Sequence, residues 1–577
     1  MSHNLHEISS NYIESMISNV KDMKAIIFDN ETQVIFSLEF SKSLALKQEI
    51  FLFESIDKIQ TDQKLNLNGI FFLRPTPQNL EYLKNILKSS NFKEINLFFT
   101  NQLTDDYLKK LAESDINMQV KNVQEIYLDY YILNSNVFHL NLESCICNLD
   151  MTPIEKWTQY DTQMYERIYQ GLISACLSNR MKPLIKSVKG STLCQKLGKK
   201  IGTFFDDNYD FIRKECGQNF NGILLLYDRK EDPISPLINQ WTYQAQLHEI
   251  LGIKNNVIEI KRGEGVPNTK PEKYVISDVE SIDKFYSKYK FADYGTVANA
   301  VQQEADKLKN ENEQLNKESS IEELRKIIDQ LPEKKKESMA ITKHYKLFYN
   351  ISEYVTQHKL MDLSKLEQDI SVNDNKKEQF NQIIQIISDP KVQHLDKCKL
   401  YLLYMLKYEN DSSVNNLKNI MIEKELGEWV KYGEALINYA GRKKRNLDCF
   451  QDKDILSKGK KFILNAFGQG NENAFMQHIS YLNGIVERML KGKSKDNETV
   501  NINYNSGVEP RVNNLIIFVF GGITFEEVRD LSLLGNQLGV NIICGGTNVI
   551  NSKNFLAEMS MIKEKMNSGN DQALNVK

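Results

Sequence analysis

Two glycine-rich turns are the first places in this chain where the residue types could support chemistry. Gly521–Gly522 and Gly545–Gly546–Thr547 each follow a short apolar run typical of a buried strand, at the sheet edge where open α/β folds bind ligands. Paired glycines would let a phosphate group approach the backbone, as in a nucleotide- or sugar-phosphate-binding enzyme. Neither turn contains a lysine or a helix-opening Ser/Thr pattern, so tight strand-to-helix turns explain them more simply.

An acidic segment that follows another apolar run is the second candidate. Asp228, Arg229 and Asp232 precede Pro233 in the sequence DRKEDP, and two carboxylates beside an arginine would suit a metal or an acid–base pair. Alternatively, Asp228 and Arg229 pair with each other while Asp232 fixes the turn into Pro233. Because no histidine or second carboxylate cluster lies nearby in sequence, we favour the structural interpretation.

The established short motifs of catalysis do not occur in the sequence. There is no GxxxxGK[ST] loop, no GxGxxG after a strand, no GxSxG and no HExxH. The eight histidines are isolated, and the eight cysteines are scattered without a CxxC pair. We therefore predict no catalytic residue, no cofactor and no metal site.

Charge and hydropathy exclude several other classes of function. With 73 basic and 76 acidic side chains, the net charge of −3 gives no general attraction to nucleic acid. Scattered thiols fit the reducing cytosol, and the first residues lack a signal-peptide pattern. The most apolar run, Leu515–Phe520, is far shorter than the roughly 20 residues that cross a bilayer. We expect a cytoplasmic protein that reaches membranes through a partner.

The elements that would position these residues begin with an amphipathic helix over residues 1–23. An α/β pattern follows, because short β-rich runs of nearly continuous apolarity alternate with a helical segment, as in parallel strands buried on both faces. These elements predict a doubly wound first domain within residues 1–142. The strands are predicted at Lys24–Asp29, Glu49–Phe53, Gly69–Leu73 and Ile95–Thr100, and the helix at Pro77–Ser89.

A second α/β domain is predicted from two distant stretches of the chain, 143–258 and 476–577. Neither stretch has enough strands for a sheet alone, so we infer one doubly wound parallel-sheet domain interrupted by a large, mostly helical insertion over 259–475. The stretch from Trp157 to Cys216 is predicted to be helical. The predicted strands are Gly222–Tyr227, Leu515–Phe520 and Asn541–Cys544, and the predicted helices are Gln240–Leu251, Thr524–Leu538 and Ser552–Lys565.

Within the insertion, Val301–Leu331 is strongly charged with mixed signs. Ser320–Glu323 has the form of a capping box, which predicts that a second helix starts there after a turn near Lys317–Ser319. Pro332 is expected to end or bend that helix. The hairpin is either a solvated pair of helices or a movable arm that engages a partner.

Long segments spread along nearly the whole chain resemble one protein family. They are FFLRPTPQNLEYL (71–83), LAESDINMQVKNVQEIYLDY (111–130), LLLYDRKEDPISPLINQWTYQAQLHEILGIKNN (224–256) and FVFGGITFEEVRDLSLLGNQLGVNIICGGTNVINSKNFLAEM (518–559), with weaker similarity over 349–371. The family is the Sec/Munc (SM) family of SNARE-assembly proteins. Within it, the chain is most similar to the branch that acts at trans-Golgi and endosomal membranes.

The resemblance implies an arch-shaped clamp of three domains with no catalytic centre. Such proteins bind a syntaxin-type Qa-SNARE in a cleft between the first domain and the helical insertion, and its N-terminal peptide on the outer face of the first domain. They act as monomers and promote the assembly of SNARE complexes during vesicle docking and fusion. A nucleotide- or sugar-phosphate-binding enzyme and a general helical scaffold are the alternatives.

The resemblance also carries over individual partner-binding residues. Leu108, Leu111, Val120 and Val123 match apolar positions of the peptide pocket, and Glu125 matches an acidic one that would hold a basic peptide residue. The residue pattern agrees, because Leu108 and Leu111 share a helical face and VKNVQEI alternates like a half-buried strand. Ordinary core packing is the alternative explanation for these apolar positions.

Two further sets of residues follow from the same resemblance. Glu54 and Lys58 match charged contacts of the central cleft. Pro332 and Tyr345 match positions on the insertion hairpin that would engage a vesicle SNARE or the assembled SNARE bundle, although Tyr345 replaces an apolar residue.

Overall fold

The computed structural model describes most of the chain. The described residues are 4–40, 42–60, 64–89, 91–260, 271–315, 321–450, 475–504 and 513–574. Within these ranges, every helix is too short or too polar to cross a lipid bilayer.

A parallel five-stranded sheet forms the first domain, as predicted. The strand order is β2-β1-β3-β4-β5, so the chain starts in the middle of the sheet and winds outward on both sides. The central strands are buried, but β2 lies at an edge and buries only Ile50 fully, which corrects the prediction that it is covered on both faces. The strands are β1 (Lys24–Phe28), β2 (Ile50–Ser55), β3 (Leu65–Leu73), β4 (Phe92–Phe99) and β5 (Val120–Glu125).

Helices cover both faces of this sheet and begin at the residues that cap them. Asp29 directly follows β1 and caps the next helix, accepting hydrogen bonds from the backbone N–H groups of Glu31 and Thr32. The predicted amphipathic helix is confirmed as α1, whose buried face includes Leu5, Ile13 and Met16. The helices are α1 (Leu5–Ser18), α2 (Asn30–Glu39), α3 (Lys42–Lys47), α4 (Pro77–Lys88) and α5 (Asp105–Ser114).

The second sheet has seven strands in the order β12-β8-β9-β13-β14-β7-β6. Strands from before and after the insertion are interleaved in it, which confirms a single domain interrupted by an insertion. The sheet is parallel from β8 to β7, as predicted, but the edge strands β12 and β6 are antiparallel to their neighbours. Two strands that precede residue 142 belong to this sheet and not to the first. The strands are β6 (Tyr131–Asn134), β7 (Val137–His139), β8 (Pro183–Val188), β9 (Gly222–Asp228), β12 (Thr499–Asn501), β13 (Asn514–Phe520) and β14 (Asn541–Gly546).

One strand of this sheet corrects the prediction that Trp157–Cys216 is helical throughout. Residues 183–188 form β8, which is buried along its whole length and pairs with β9. The predicted helix at Gln240–Leu251 is present from Tyr243 and continues as a wider turn to Leu251. The helices of this domain are α6 (Gln159–Ser178), α7 (Thr192–Asp207), α8 (Tyr209–Cys216), α9 (Tyr243–Gln246), α18 (Tyr481–Leu490), α19 (Phe525–Leu538) and α20 (Ser552–Leu574).

The insertion is mostly helical, as predicted, and opens with a small antiparallel hairpin of β10 (Val257–Ile260) and β11 (Glu272–Val275). Every residue of α15 from Asp396 to Lys407 is buried, so this helix forms the centre of the insertion core. The helices are α10 (Lys284–Tyr289), α11 (Tyr294–Leu315), α12 (Ile321–Gln357), α13 (Leu360–Val372), α14 (Lys376–Ser388), α15 (His394–Lys407), α16 (Ser412–Glu423) and α17 (Gly427–Ala440).

The charged hairpin of the insertion is formed by α11 and α12. Of the two expectations for Pro332, an end of the helix is wrong, because α12 runs from Ile321 through position 332 to Gln357, whereas a bend stays a prediction. The predicted turn at Lys317–Ser319 and the capping residue Ser320 lie outside the described residues.

Candidate partner-binding surfaces

A helix and the edge strand that follows it bring the five predicted pocket residues together. Thr104 caps α5 by accepting a hydrogen bond from the backbone N–H of Tyr107. The Asp115 carboxylate then accepts hydrogen bonds from the backbone N–H groups of Gln119 (2.9 Å) and Val120 (3.0 Å). These bonds fix the turn between α5 and β5, and they thereby fix the relative positions of the side chains on the two elements. We call this the α5–β5 surface, comprising Leu108, Leu111, Val120, Val123 and Glu125.

A β-bulge decides which side chains of β5 face α5. Val120 and Val123 are three residues apart, so strict alternation would place them on opposite faces of the sheet. The register between β4 and β5 shifts by one residue after Val120, and this shift returns both valines and Glu125 to one face. Their partners on β4 are alternate residues that contribute to the core under α5: Ile95, Leu97 and Phe99.

The apolar residues of the α5–β5 surface divide between core and exterior. Leu111 is only 4% exposed and packs in the core, whereas Leu108 is 39% exposed and Val123 is 41% exposed. Val120 is half-buried against that core. Sequence reasoning missed Met118, which lies in the connecting turn and is 82% exposed; an apolar residue between a helix and a strand was the available signal. These exposed side chains form a surface that a partner could cover.

Glu125 ends β5 with its carboxylate already held by the domain. One oxygen accepts a hydrogen bond from the backbone N–H of Leu103 (2.7 Å), and the other accepts one from the Tyr127 hydroxyl (2.8 Å). Burial and the neighbouring Glu125 carboxylate raise the pKa of Tyr127 above its ordinary value, so the phenol remains a donor. The carboxylate is therefore fixed in position while its side chain stays partly accessible to solvent.

The two predicted cleft residues lie close together at the open edge of the first sheet. Glu54 is near the end of β2, and Lys58 ends the single 3₁₀ turn that follows. Lys58 is exposed and Glu54 is half-buried. Phe51 projects from the same edge strand with its ring exposed, so this edge offers both charge and apolar surface.

On the insertion, α12 presents Tyr345 to solvent with 48% of its surface exposed. The adjacent His344 points the other way and is completely buried. Its Nδ1 lies 2.9 Å from the Tyr243 hydroxyl, and its Nε2 lies 2.9 Å from a carboxylate oxygen of Asp283. This pair of contacts fixes the rotation of α12 about its axis and therefore the direction in which Tyr345 points. Pro332 lies in the same helix.

The first glycine turn is filled by protein atoms. Gly521 and Gly522 have φ angles of +88° and +99°, which favour glycine. A Cβ on Gly522 would lie 2.5 Å from Ile550. The Arg229 guanidinium donates hydrogen bonds to the Gly522 carbonyl from Nε (3.0 Å) and Nη2 (2.9 Å). Side chains of the domain itself thus fill the space beside both glycines, with Arg229 and Ile146 at Gly521 and Ile550 at Gly522.

The second glycine turn and the acidic segment are also structural. A Cβ on Gly545 would lie 2.3 Å from the Phe138 ring, so this glycine permits strand packing. The expected pairing of Asp228 with Arg229 is wrong, because Arg229 pairs with Glu527. Asp232 accepts hydrogen bonds from the backbone N–H groups that follow Pro233, as the structural interpretation predicts. Within the described ranges, no group of acidic, histidine or cysteine side chains could hold a metal ion.

Comparisons with known proteins agree on one family. The profile of the Sec1 family matches residues 24–558. The human vacuolar protein sorting-associated protein 45 is 32% identical over 560 residues, spanning 95% of this chain and 94% of that protein. The Dictyostelium discoideum protein of the same name is 30% identical over 95% of each chain.

Solved structures show the same likeness in three dimensions. The structure described as the SM protein Vps45 in complex with the Qa SNARE Tlg2 superposes with a TM-score of 0.84 at 27% sequence identity, covering 97% of this chain and 98% of that one. A structure of the SM protein Vps45 alone gives a TM-score of 0.79 at 26% identity. This chain belongs to the Sec1 family, whose members are the SM proteins.

Proposed function

We propose that this chain binds a syntaxin-type Qa-SNARE and promotes SNARE-complex assembly during vesicle transport on the trans-Golgi, endosomal and vacuolar route. The observation that carries the proposal is similarity over 97% of the chain to Vps45 in complex with the Qa SNARE Tlg2. The filled glycine turns give no support to the phosphate-binding alternative.

The α5–β5 surface is the proposed site for the N-terminal peptide of the Qa-SNARE. The exposed Leu108 and Val123 would cover an apolar peptide side chain, with Val120 beneath them and Leu111 supporting α5 from the core. Glu125 would pair with a basic peptide residue, and a partly desolvated pair of this kind gives orientation as well as affinity.

The SNARE helices would contact two other parts of the protein. Glu54 and Lys58 would line the cleft between the first domain and the insertion. The α12 helix, with Pro332 and Tyr345, would engage the vesicle SNARE or the assembled SNARE bundle. The protein would act as a cytoplasmic monomer without catalysis or cofactor, held peripherally at Golgi and endosomal membranes by the SNARE.

The test is a titration of the purified full chain with two forms of a syntaxin-type Qa-SNARE. One form is the N-terminal peptide alone, and the other is the complete cytoplasmic region. We expect saturable binding of both, and faster SNARE-complex formation when the chain is present. Failure to bind the Qa-SNAREs of its own cell, with a correctly folded protein, would disprove the proposed function.

A further inference from the structure

A histidine of the N-terminal helix is buried between two carboxylates from different domains. His6 lies in α1, and its Nδ1 is 2.8 Å from a carboxylate oxygen of Glu39, at the end of α2. Its Nε2 is 2.9 Å from a carboxylate oxygen of Asp278, in the insertion after β11. The carboxylates of both acids are almost completely removed from solvent. A single imidazole ring therefore joins the first domain to the insertion.

A carboxylate at each ring nitrogen favours a positive charge on this ring. An ionised carboxylate can only accept hydrogen bonds, so both ring nitrogens of His6 must donate, and only the imidazolium has two N–H groups. The two carboxylates outweigh the cost of burial and raise the pKa of His6 to about 9. At neutral pH the junction is thus a charged bridge between Glu39 and Asp278.

The same junction includes the second sheet domain. Asp278 accepts hydrogen bonds from the backbone N–H (2.8 Å) and the hydroxyl (2.9 Å) of Ser135, in the turn between β6 and β7. Lys290 pairs with the same carboxylate at 2.7 Å. The backbone N–H of Leu5 donates to the Ser135 carbonyl at 2.8 Å. The N-terminal helix, both sheet domains and the insertion therefore meet at one buried network.

A short segment, residues 278–283, connects this network to α12. Five residues after Asp278, the Asp283 carboxylate pairs with His344 (2.9 Å) and Lys343 on α12. One end of the segment 278–283 is thus fixed to the N-terminal helix, and the other is fixed to the helix that carries Tyr345.

We propose that His6 is a positioning residue, and that α1 acts through it as a clasp holding the first domain and α12 at a fixed separation. The charged groups that face His6 are Glu39 from α2 and Asp278 from the insertion, and Lys290 pairs with Asp278. Within the described residues, the imidazolium is the only cationic group that pairs with Glu39. When His6 is neutral, Glu39 loses its cationic partner and only Asp278 keeps one, Lys290, so two buried carboxylates lie close together without enough positive charge and the domains separate. The consequence for SNARE affinity rests on the proposed function; the clasp itself does not.

The clasp is tested by a distance measurement on the free, full-length protein. Spin labels are attached at Asn85→Cys on α4 and Thr342→Cys on α12, after replacing the partly exposed Cys449 by Ser; the other native cysteines are buried. We expect a narrow distance distribution in the wild-type background and a broader, longer one in His6→Gln. His6→Arg should remain narrow, because a guanidinium keeps the charge and can donate to both acids. Glu7→Gln, an exposed change one residue away on α1, is the matched control.

The pH dependence separates this role from simple packing. A histidine without these carboxylate partners has a pKa near 6.5, whereas the pKa of His6 is raised to about 9. The stabilisation that charged His6 gives to the closed clasp is therefore complete below about pH 6.5 and is lost as the pH rises towards 9, so the open population should rise by up to about tenfold per pH unit over that range. His6→Gln and His6→Arg should show no such rise. This comparison still decides the question if His6→Gln fails to fold.

Distances that do not change between pH 7 and pH 9.5 in the wild-type background would overturn the proposal. So would a His6→Gln distribution that matches that of Glu7→Gln. SNARE binding is measured separately on the same variants. We expect unchanged affinity for the N-terminal peptide and weaker binding of the complete Qa-SNARE in His6→Gln. If the chain binds no SNARE but shows the distance change, the clasp is supported and the proposed function is disproved.

Discussion

Arg229 and Glu527 form a buried ion pair that joins the two halves of the interrupted domain. Nη2 of Arg229 lies 2.6 Å from Oε2 of Glu527, and Nη1 lies 3.0 Å from Oε1. Arg229 directly follows β9, before the insertion, whereas Glu527 lies in the first turn of α19, after it. The Gly522 carbonyl accepts further hydrogen bonds from the guanidinium. The paired charges therefore hold together elements that the sequence separates widely.

We expect Arg229→Met to destabilise the protein by about 3–5 kcal/mol, because it leaves the Glu527 carboxylate buried and unpaired. The readout is the apparent Tm. Lys273→Met, which removes an exposed ion pair with Glu259, is the control and should cost at most about 1 kcal/mol. The double change Arg229→Met with Glu527→Leu should recover part of the loss, and no recovery would mean that packing dominates.

The α5–β5 surface gives opposite predictions for two leucines of one helix. Leu108→Arg should leave the protein folded, because this side chain is 39% exposed, and should abolish binding of the Qa-SNARE N-terminal peptide. Leu111→Arg should unfold the first domain, because burying an unpaired charge costs several kcal/mol. Circular dichroism and peptide titration distinguish the outcomes. A folded Leu108→Arg variant with wild-type peptide affinity would exclude this surface as the binding site.

Because side chains of the protein fill the glycine turns, we expect that nucleotides and divalent ions do not stabilise the protein. Thermal unfolding with ATP, GTP, Mg²⁺ or Ca²⁺ should show no saturable shift, whereas a ligand at 100 times its Kd would add about 2.7 kcal/mol. Gly522→Ala should lower the Tm without changing any ligand response, because its φ of +99° strains an L-residue. A saturable shift with any of these ligands would reopen the enzymatic interpretation.

The neutral His248 predicts a loss of stability in acid. Its Nδ1 accepts a hydrogen bond from the backbone N–H of Ile253 (3.1 Å), so protonation there would break the contact. Burial lowers its pKa to about 4. Because the unfolded chain binds this proton near pH 6.5, the stability due to neutral His248 is present above that pH and is lost as the pH falls towards 4.

The expected slope for this one group is at most about 1.4 kcal/mol per pH unit. The measurement compares the pH dependence of urea unfolding between wild type and His248→Gln, which cannot titrate. The wild type should lose stability more steeply than the variant between pH 6.5 and 4. Parallel profiles would show that His248 titrates normally in the folded protein.

Pro332 lies within α12, so its replacement should strengthen that helix. Proline inside a helix removes a backbone hydrogen bond and costs about 3 kcal/mol relative to alanine. Pro332→Ala should therefore increase helicity and raise affinity for the vesicle SNARE if the continuous helix is the binding-competent state. Affinity for the N-terminal peptide should not change. A more helical variant with unchanged SNARE-motif affinity would remove this hairpin from the mechanism.

The strands that were easiest to predict were those with uninterrupted apolar sequence. KAIIF and LIIFVF are buried on both faces, and their positions follow directly from composition. β8 was missed because its sequence, PLIKSV, contains Lys186 and Ser187. Both are buried, and the Lys186 ammonium donates to the Asn501 side chain on the neighbouring strand (2.9 Å). A polar residue satisfied by a distant partner carries no local signal.

The α5–β5 surface was predicted only in part, because some of its geometry also depends on contacts with distant parts of the chain. The spacing correctly placed Leu108 and Leu111 on one face of the helix. It did not show that Leu111 lies at the centre of the packed face, in the core, whereas Leu108 lies at the margin of that face and is exposed. The bulge that aligns Val120 with Val123 depends on pairing with β4 and cannot be seen in β5 alone. The partner of Arg229 was likewise hidden, because Glu527 lies beyond the insertion.

The interleaved strand order of the second sheet also constrains the order of events during synthesis. The first sheet is complete once β5 has been made, so that domain can fold while the rest of the chain is still being translated. β9 must wait for its neighbour β13 until the whole insertion has left the ribosome. At about 5–20 residues per second, this wait lasts roughly tens of seconds. During that time an apolar strand edge is uncovered, which exposes the nascent second domain to pairing with other chains until β13 is available.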